Sequence, residues 1–226
     1  MFHRSLSLND TQFKAMAREA RILEQDERGI KVMRLPGGDM FKVFRVRNRL
    51  SAARIYSYAR RFCRNARRLQ KLDIPTVAIK QLFQLEAPAE TAVLYAPLAG
   101  ETLRDLLSLR ALTPAEAEQL GIFIASLHRH GVHFRSLHLG NIVSGTDGRL
   151  GLIDIADMSI YPWSLWCTTR CRSFTHLHRY PDQIRQLGEA SWQCIEAAYF
   201  AHAGLHPACE SRLRRHLQRI SVFTAG

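Results

Sequence analysis

Asn141 closes the run Phe134-Arg-Ser-Leu-His-Leu-Gly-Asn141, and Asp154 follows the apolar stretch Leu150-Gly-Leu-Ile153. A carboxamide and a carboxylate on either side of a short strand are oxygen donors of the kind that hold Mg²⁺ in phosphoryl-transfer sites. In such sites the loop reads H-R-D-L-x-x-x-N, and the metal-binding Asp comes just after the next strand. Counting back from Asn141, the position of the general base is Ser136, so a hydroxyl stands where a carboxylate is expected. His138 and Asp157 are the nearby groups able to accept a proton instead. Each has an ordinary alternative, His138 as a hydrogen-bonding loop residue and Asp157 as a cap on the next segment. Lys42 interrupts the apolar run Phe41-Lys-Val-Phe44, a strand with little other use for a charge. It occupies the place of the lysine that neutralises nucleotide phosphates, with a solvent-facing strand lysine as the alternative. For Asp154 the alternative is a turn-capping carboxylate.

These residues need a strand for Lys42, a tight loop for Asn141 and a strand end for Asp154. Apolar positions from Asp10 to Ala20 recur at helical spacing. The alternating stretch from Arg21 to Leu35, the turn signal Pro36-Gly-Gly-Asp39 and the run Met40–Arg45 then read as a three-stranded meander carrying Lys42. Ser51 to Leu72 reads as a helix with apolar positions at Ile55, Tyr58, Phe62, Ala66 and Leu69, and strands are expected near Thr76–Phe83 and Thr91–Tyr95. Pro97 and Gly100 mark a linker, followed by the cap-like Thr102 ahead of Leu103-Arg-Asp-Leu-Leu107. Pro114-Ala-Glu116 opens a longer helix that stops at Gly131, and the chain beyond Asp154 reads as helical. Together these give an α+β chain in two lobes. Residues 1–96 form a small antiparallel sheet with one helix, and residues 97–226 form a mostly helical lobe carrying the loop.

The formal net charge is +12 over 226 residues. Met40 to Leu72 holds no acidic residue, while Lys42, Arg45, Arg47, Arg49, Arg54, Arg60, Arg61, Arg64, Arg67, Arg68 and Lys71 crowd the same stretch. A block of one sign attracts anions such as phosphorylated glycolipid, an anionic membrane surface or nucleic acid, the plain alternative being a solvated helical face. No helix-turn-helix, RNP-type aromatic motif or zinc finger supports nucleic acid. No apolar run is long enough to span a bilayer and the first residues lack the apolar core of a signal peptide, so a cytoplasmic location is expected. The odd, scattered set Cys63, Cys167, Cys171, Cys194 and Cys209 reads as reduced thiols. Cys167 and Cys171, with His176 and His178 nearby, lack the tight spacing of a structural zinc site.

Lys42, the phrase Tyr95-Ala-Pro-Leu-Ala-Gly-Glu-Thr-Leu-Arg-Asp-Leu-Leu107, the helix end Leu127-His-Arg-His-Gly-Val132 and the loop His138-Leu-Gly-Asn141 together resemble the lipopolysaccharide kinase (Kdo/WaaP) family. The likeness runs from about residue 20 to residue 190 and is greatest to the branch labelled toluene-tolerance proteins. The resemblance implies a two-lobed protein-kinase-like fold using ATP and Mg²⁺ to phosphorylate a sugar hydroxyl of the lipopolysaccharide inner core at the cytoplasmic face of the inner membrane. On that likeness Lys42 would hold the ATP phosphates and Asn141 and Asp154 the Mg²⁺. Ser136 and His138 would stand at the catalytic position. The anionic glycolipid would meet the Arg-rich helix and the basic run Arg212–His216. A monomer in peripheral contact with the membrane is expected.

Three departures keep a second reading open. Ser136 replaces the catalytic Asp, Glu24-Gln-Asp-Glu-Arg-Gly-Ile30 has a single glycine where a phosphate-covering loop is usually richer, and the helix facing Lys42 offers no carboxylate. That second reading is a pseudokinase, which binds nucleotide and works as a regulatory or scaffold protein in envelope biogenesis. A kinase acting on a cationic small molecule such as an aminoglycoside fits poorly with so basic a surface.

Overall fold

The computed structural model describes residues 5–45, 58–86 and 90–223. The chain is α+β and forms two compact units, residues 1–98 and 99–226.

In the first unit β1 (Leu6–Leu8) leads into α1 (Asp10–Glu19), and β2 (Arg21–Asp26), β3 (Gly29–Arg34) and β4 (Met40–Arg45) follow. The chain continues through α2 (Tyr58–Lys71), β5 (Ala78–Leu85) and β6 (Glu90–Ala96). The start of α1 is fixed by a capping box, in which Asn9 accepts from the Gln12 N–H and the Gln12 side chain accepts from the Asn9 N–H. Six strands make one sheet in the order β1-β5-β6-β4-β3-β2, antiparallel except where β1 runs parallel to β5. The sheet is therefore mixed where an antiparallel one was expected, and the helical spacing read at Asp10–Ala20 is α1, a second helix beside the one helix assigned to this lobe. The short β1 finds its partner far along the chain, so no local pattern announces it.

Period-two alternation sorts β4 by face. Phe41 and Val43 are buried with Leu8, Met33, Leu85 and Ala92, and Phe13 and Met16 of α1 pack on that cluster. Lys42 and Phe44 take the opposite face, where Phe44 meets Phe62 of α2 at 5.6 Å. The helix α2 divides sharply. Ala59, Phe62, Cys63, Asn65, Ala66 and Leu69 are buried, while its six cations lie on the remaining arc. Burial pushes the Cys63 thiol up to about 11. The expected helix start at Ser51 and the cations Arg47, Arg49 and Arg54 lie outside the described residues.

The second unit runs β7 (Gly100–Thr102), α3 (Leu103–Leu109), α4 (Pro114–Arg129), β8 (Val132–Phe134), β9 (Ile142–Gly145), β10 (Leu150–Leu152) and β11 (Met158–Ile160). It ends in α5 (Cys167–Leu177), α6 (Pro181–Leu187), α7 (Glu189–His202) and α8 (Pro207–Ile220). Its strands form two small antiparallel ribbons, β10-β9-β7 and β11-β8. Thr102 caps α3 as its sequence suggests. Thr113 and Glu116 form a capping box around Pro114 at the start of α4, and Arg110 grips Glu116 through both guanidinium nitrogens at 2.6 and 2.8 Å. That pair, with help from Thr113, holds the Glu116 carboxyl down at about 2. Gly121 lets α4 lie against α7, because a Cβ there would strike the Ile195 carbonyl and Ala198.

A buried polar chain ties α4, α5 and α7 together. His128 bonds Tyr199 Oη and Ser173 Oγ at 2.9 Å each. Arg170, itself buried, donates to Tyr199 Oη, the carbonyls of Leu165 and Ala203, and Ser164 Oγ. Burial, with the Arg170 and His133 charges, pushes the His128 imidazole well below its usual range. Burial also lowers His133, His138, His176, His178 and His216. The sign of the linkage follows. Below an ordinary pKa of about 6.5 the unfolded chain takes up protons that the folded chain refuses, so stability falls with pH. The loss begins as pH drops through that value and continues until the depressed folded value is reached. His128 alone can contribute a slope of about 1.4 kcal/mol per pH unit. Urea midpoints at pH 7 and pH 5 should differ clearly, with the lower value in acid, and equal midpoints would contradict neutral burial.

Cys167 and Cys209 form a disulfide, with Cα atoms 5.6 Å apart, which corrects the expectation of five reduced thiols. The packing of α5 on α8 brings together two cysteines separated by 42 positions, a proximity that spacing does not show. The bond also removes Cys167 from any thiolate metal site, while Cys63, Cys171 and Cys194 are free.

Candidate active site

Two chain segments in the second unit connect the same pair of ribbons. Residues 135–141 leave β8 and enter β9, while residues 153–157 leave β10 and enter β11. Because β8 pairs with β11 and β9 with β10, both connections are held side by side. Their ends are cross-linked. The Arg135 N–H donates to the Asp157 carbonyl at 3.2 Å and the Ile153 N–H to the Asn141 carbonyl at 3.0 Å. Asp154 follows Ile153 directly, so its carboxylate and the Asn141 amide leave the backbone at the same end of the paired connections.

Asn141 is buried, and its Nδ2 donates to the Ser136 carbonyl at 2.9 Å, which leaves Oδ1 as the oxygen that would face a cation. The same bond locks the Ser136 backbone to Asn141. Asp154 is exposed and takes left-handed backbone angles, φ 50° and ψ 42°. For a non-glycine residue that conformation costs about 1–2 kcal/mol, less for Asp than for most, and such residues gather at functional sites. Asp73, the other described non-glycine with positive φ, sits just past the end of α2, an ordinary place for it. Asp154 instead turns the chain from a strand into a short 3₁₀ turn over 155–157.

Leu137 and Leu139 anchor the loop in the core, and the Leu139 N–H donates to Gln183 of α6 at 3.0 Å. The His138 Nδ1 accepts from the Gly140 N–H at 3.1 Å while its ring packs on Tyr180 at 4.6 Å. In the neutral imidazole Nε2 then carries the proton. Burial and the Arg104 cation lower its pKa, and only Asp154 works against them. Asp157 is held in an ion pair with Arg135 that spans the two connections.

Ser136, His138, Asn141 and Asp154 are thus brought together in the second unit. Lys42 belongs to the first, half-buried on the α2 face of β4 and 5.6 Å over the Phe44 ring. On α2, the buried Asn65 lies one turn beyond Phe62 on the side facing the sheet. Arg104 is a site residue that sequence reasoning missed. Its guanidinium lies beside Gly140 and acts electrostatically on His138, while its Nε pairs with Asp105 at 3.6 Å. It was visible inside the phrase Thr102-Leu-Arg-Asp-Leu-Leu107, but only the packing of α3 on the loop shows which way it is used.

Among the described residues, no group of three or more His, Cys, Asp and Glu could hold a metal ion. One carboxylate and one amide oxygen nevertheless fit Mg²⁺, which is usually held by one or two protein oxygens, with water and phosphate completing the shell. The set suits neither zinc nor a soft metal. No model of a known protein family matches the chain, and no curated protein matches it. Among the described residues no helix is long and apolar enough to cross a membrane.

Proposed function

We propose that the chain is an ATP- and Mg²⁺-dependent phosphotransferase of the lipopolysaccharide-core-kinase type, with a two-lobed protein-kinase-like fold and a sugar hydroxyl of an anionic glycolipid as acceptor. The observation that carries this reading is the pairing of the two connections, which sets the Asn141 amide and the Asp154 carboxylate at one end of a cross-linked frame. Mg²⁺ held there would neutralise charge on the transferring phosphoryl group. Arg104 is the cation of this unit for a phosphate oxygen, and Lys42, in the first unit, is assigned to the nucleotide phosphates on the family likeness alone. The Asn141–Ser136 bond fixes the loop before any ligand arrives, which favours catalysis by positioning.

A pseudokinase is the second reading. Ser136 and the carboxylate-free α2 favour it, because both remove groups that would serve transfer and neither removes a group that would serve binding. Phosphate transfer from MgATP to extracted lipopolysaccharide core separates the two. Wild-type protein should transfer phosphate, and Lys42→Ala should lower the rate about 10²–10³-fold, as loss of one electrostatic contact to the transition state does. Nucleotide binding without transfer would select the pseudokinase. Neither binding nor transfer would sink both readings.

A further inference from the structure

The segment between β11 and α5 exposes three aromatic side chains on a firmly held backbone. Tyr161, Trp163 and Trp166 are 38%, 54% and 71% exposed. The backbone beneath them is pinned, because the Tyr161 N–H donates to Gly131 O at 2.9 Å and the Leu165 N–H to His128 O at 2.8 Å. Arg170 holds the Leu165 carbonyl and Ser164 Oγ from inside. The aromatic surface is therefore a fixed feature of the fold, and a rigid exposed patch of this kind marks an interaction site.

A stripe of cations adjoins it. Trp166 precedes Cys167, whose disulfide to Cys209 ties the start of α5 to the first turn of α8. One turn further along α8 come Arg212, Arg215 and Arg219, exposed and spaced to share one helix face, and Arg212 and Arg219 act electrostatically on Cys171 of α5. None of the three has a carboxylate partner among the described residues, whereas Arg214, on the other side of α8, is paired with Glu210.

We propose that this face docks on an anionic lipid bilayer, with the three aromatic rings at headgroup depth and the α8 arginines on lipid phosphates. Tyr and Trp pair an apolar body with a polar edge, the combination suited to the membrane–water boundary. Tyr161 and Trp163 lie against each other with ring centroids 5.9 Å apart, so these two rings present one joint surface. The three arginines supply the charge complementary to anionic headgroups. The inference does not rest on phosphotransfer, since none of its residues is among those proposed to hold nucleotide or metal.

Sedimentation of the full chain with phosphatidylglycerol–phosphatidylcholine vesicles and with phosphatidylcholine vesicles tests it, without nucleotide. Binding should require phosphatidylglycerol, weaken with salt and shift tryptophan emission to the blue. Trp192 is buried, so any shift comes from Trp163 and Trp166. Trp163→Ala with Trp166→Ala should weaken binding about tenfold, and each Arg→Gln at 212, 215 and 219 about fivefold, with thermal midpoints unchanged. Asp154→Ala should bind vesicles as wild type does, which separates this result from any failure of the kinase reading. Equal binding to both vesicles, binding indifferent to both sets of variants, or no vesicle binding would overturn the proposal. So would self-association, or binding to single-stranded nucleic acid, that takes the place of vesicle binding and is lost in the tryptophan variant.

Discussion

Removing the Asp154 carboxylate should abolish Mg²⁺-dependent nucleotide binding while the protein stays folded. The side chain is exposed, so its loss opens no cavity, and the cross-links at either end of the connections are backbone bonds that do not involve it. Alanine tolerates the left-handed backbone less well than aspartate, which adds about 1 kcal/mol of strain. Asparagine adopts that conformation readily, so Asp154→Asn tests charge and Asp154→Ala tests the whole ligand. Because Asp154 is the sole carboxylate of the pair, either change should weaken MgATP binding by more than about 100-fold, beyond what loss of an outer-shell partner costs. Titration calorimetry with MgATP, and with ATP in a chelator, reads the metal-dependent part directly. Unchanged MgATP affinity in a folded Asp154→Asn protein would sink the metal assignment.

What was legible in the sequence was local. The Pro114-Ala-Glu116 helix opening, the Pro36-Gly-Gly-Asp39 turn and the apolar positions Phe62, Ala66 and Leu69 of α2 each write their structure within a few residues and are found, while Tyr58, read as another apolar position of that helix, is exposed at its first turn. The Asn141-to-Asp154 spacing was legible for the same reason, since a single short hairpin, β9 to β10, fills the interval between them. Elements fixed by distant partners were hidden. The strands β1, β7, β8 and β11 have three residues each, too few for a period-two signal, and exist because a remote strand supplies their hydrogen bonds. The Cys167–Cys209 bond and the place of Arg104 beside the loop depend on helix packing in the same way. Spacing suggested that Asn141 and Asp154 belong together. It could not show that the frame holding them is a pair of connections cross-linked at both ends.

Ser136→Asp should raise phosphate transfer about 10²–10⁴-fold, the usual worth of a positioned general base. The groups that could stand in for it already have other work. His138 accepts the Gly140 N–H at Nδ1, so its Nε2 carries the proton, and Asp157 is held by Arg135. The frame for a carboxylate at 136 already exists, because the Ser136 carbonyl is bonded to Asn141 and the Leu137 side chain is buried beside it. A new carboxylate there would lie near the Asn141 end of the site, where a substrate hydroxyl would be activated, and it should act on kcat more than on the KM for ATP. Ser136→Ala is the control and should leave the wild-type rate nearly unchanged, since phosphoryl transfer draws mainly on positioning and charge. A rise in kcat confined to Ser136→Asp would mean that the machinery is intact and lacks only its base. No rise, in a variant that still binds MgATP, would mean that the site holds nucleotide for a purpose other than transfer.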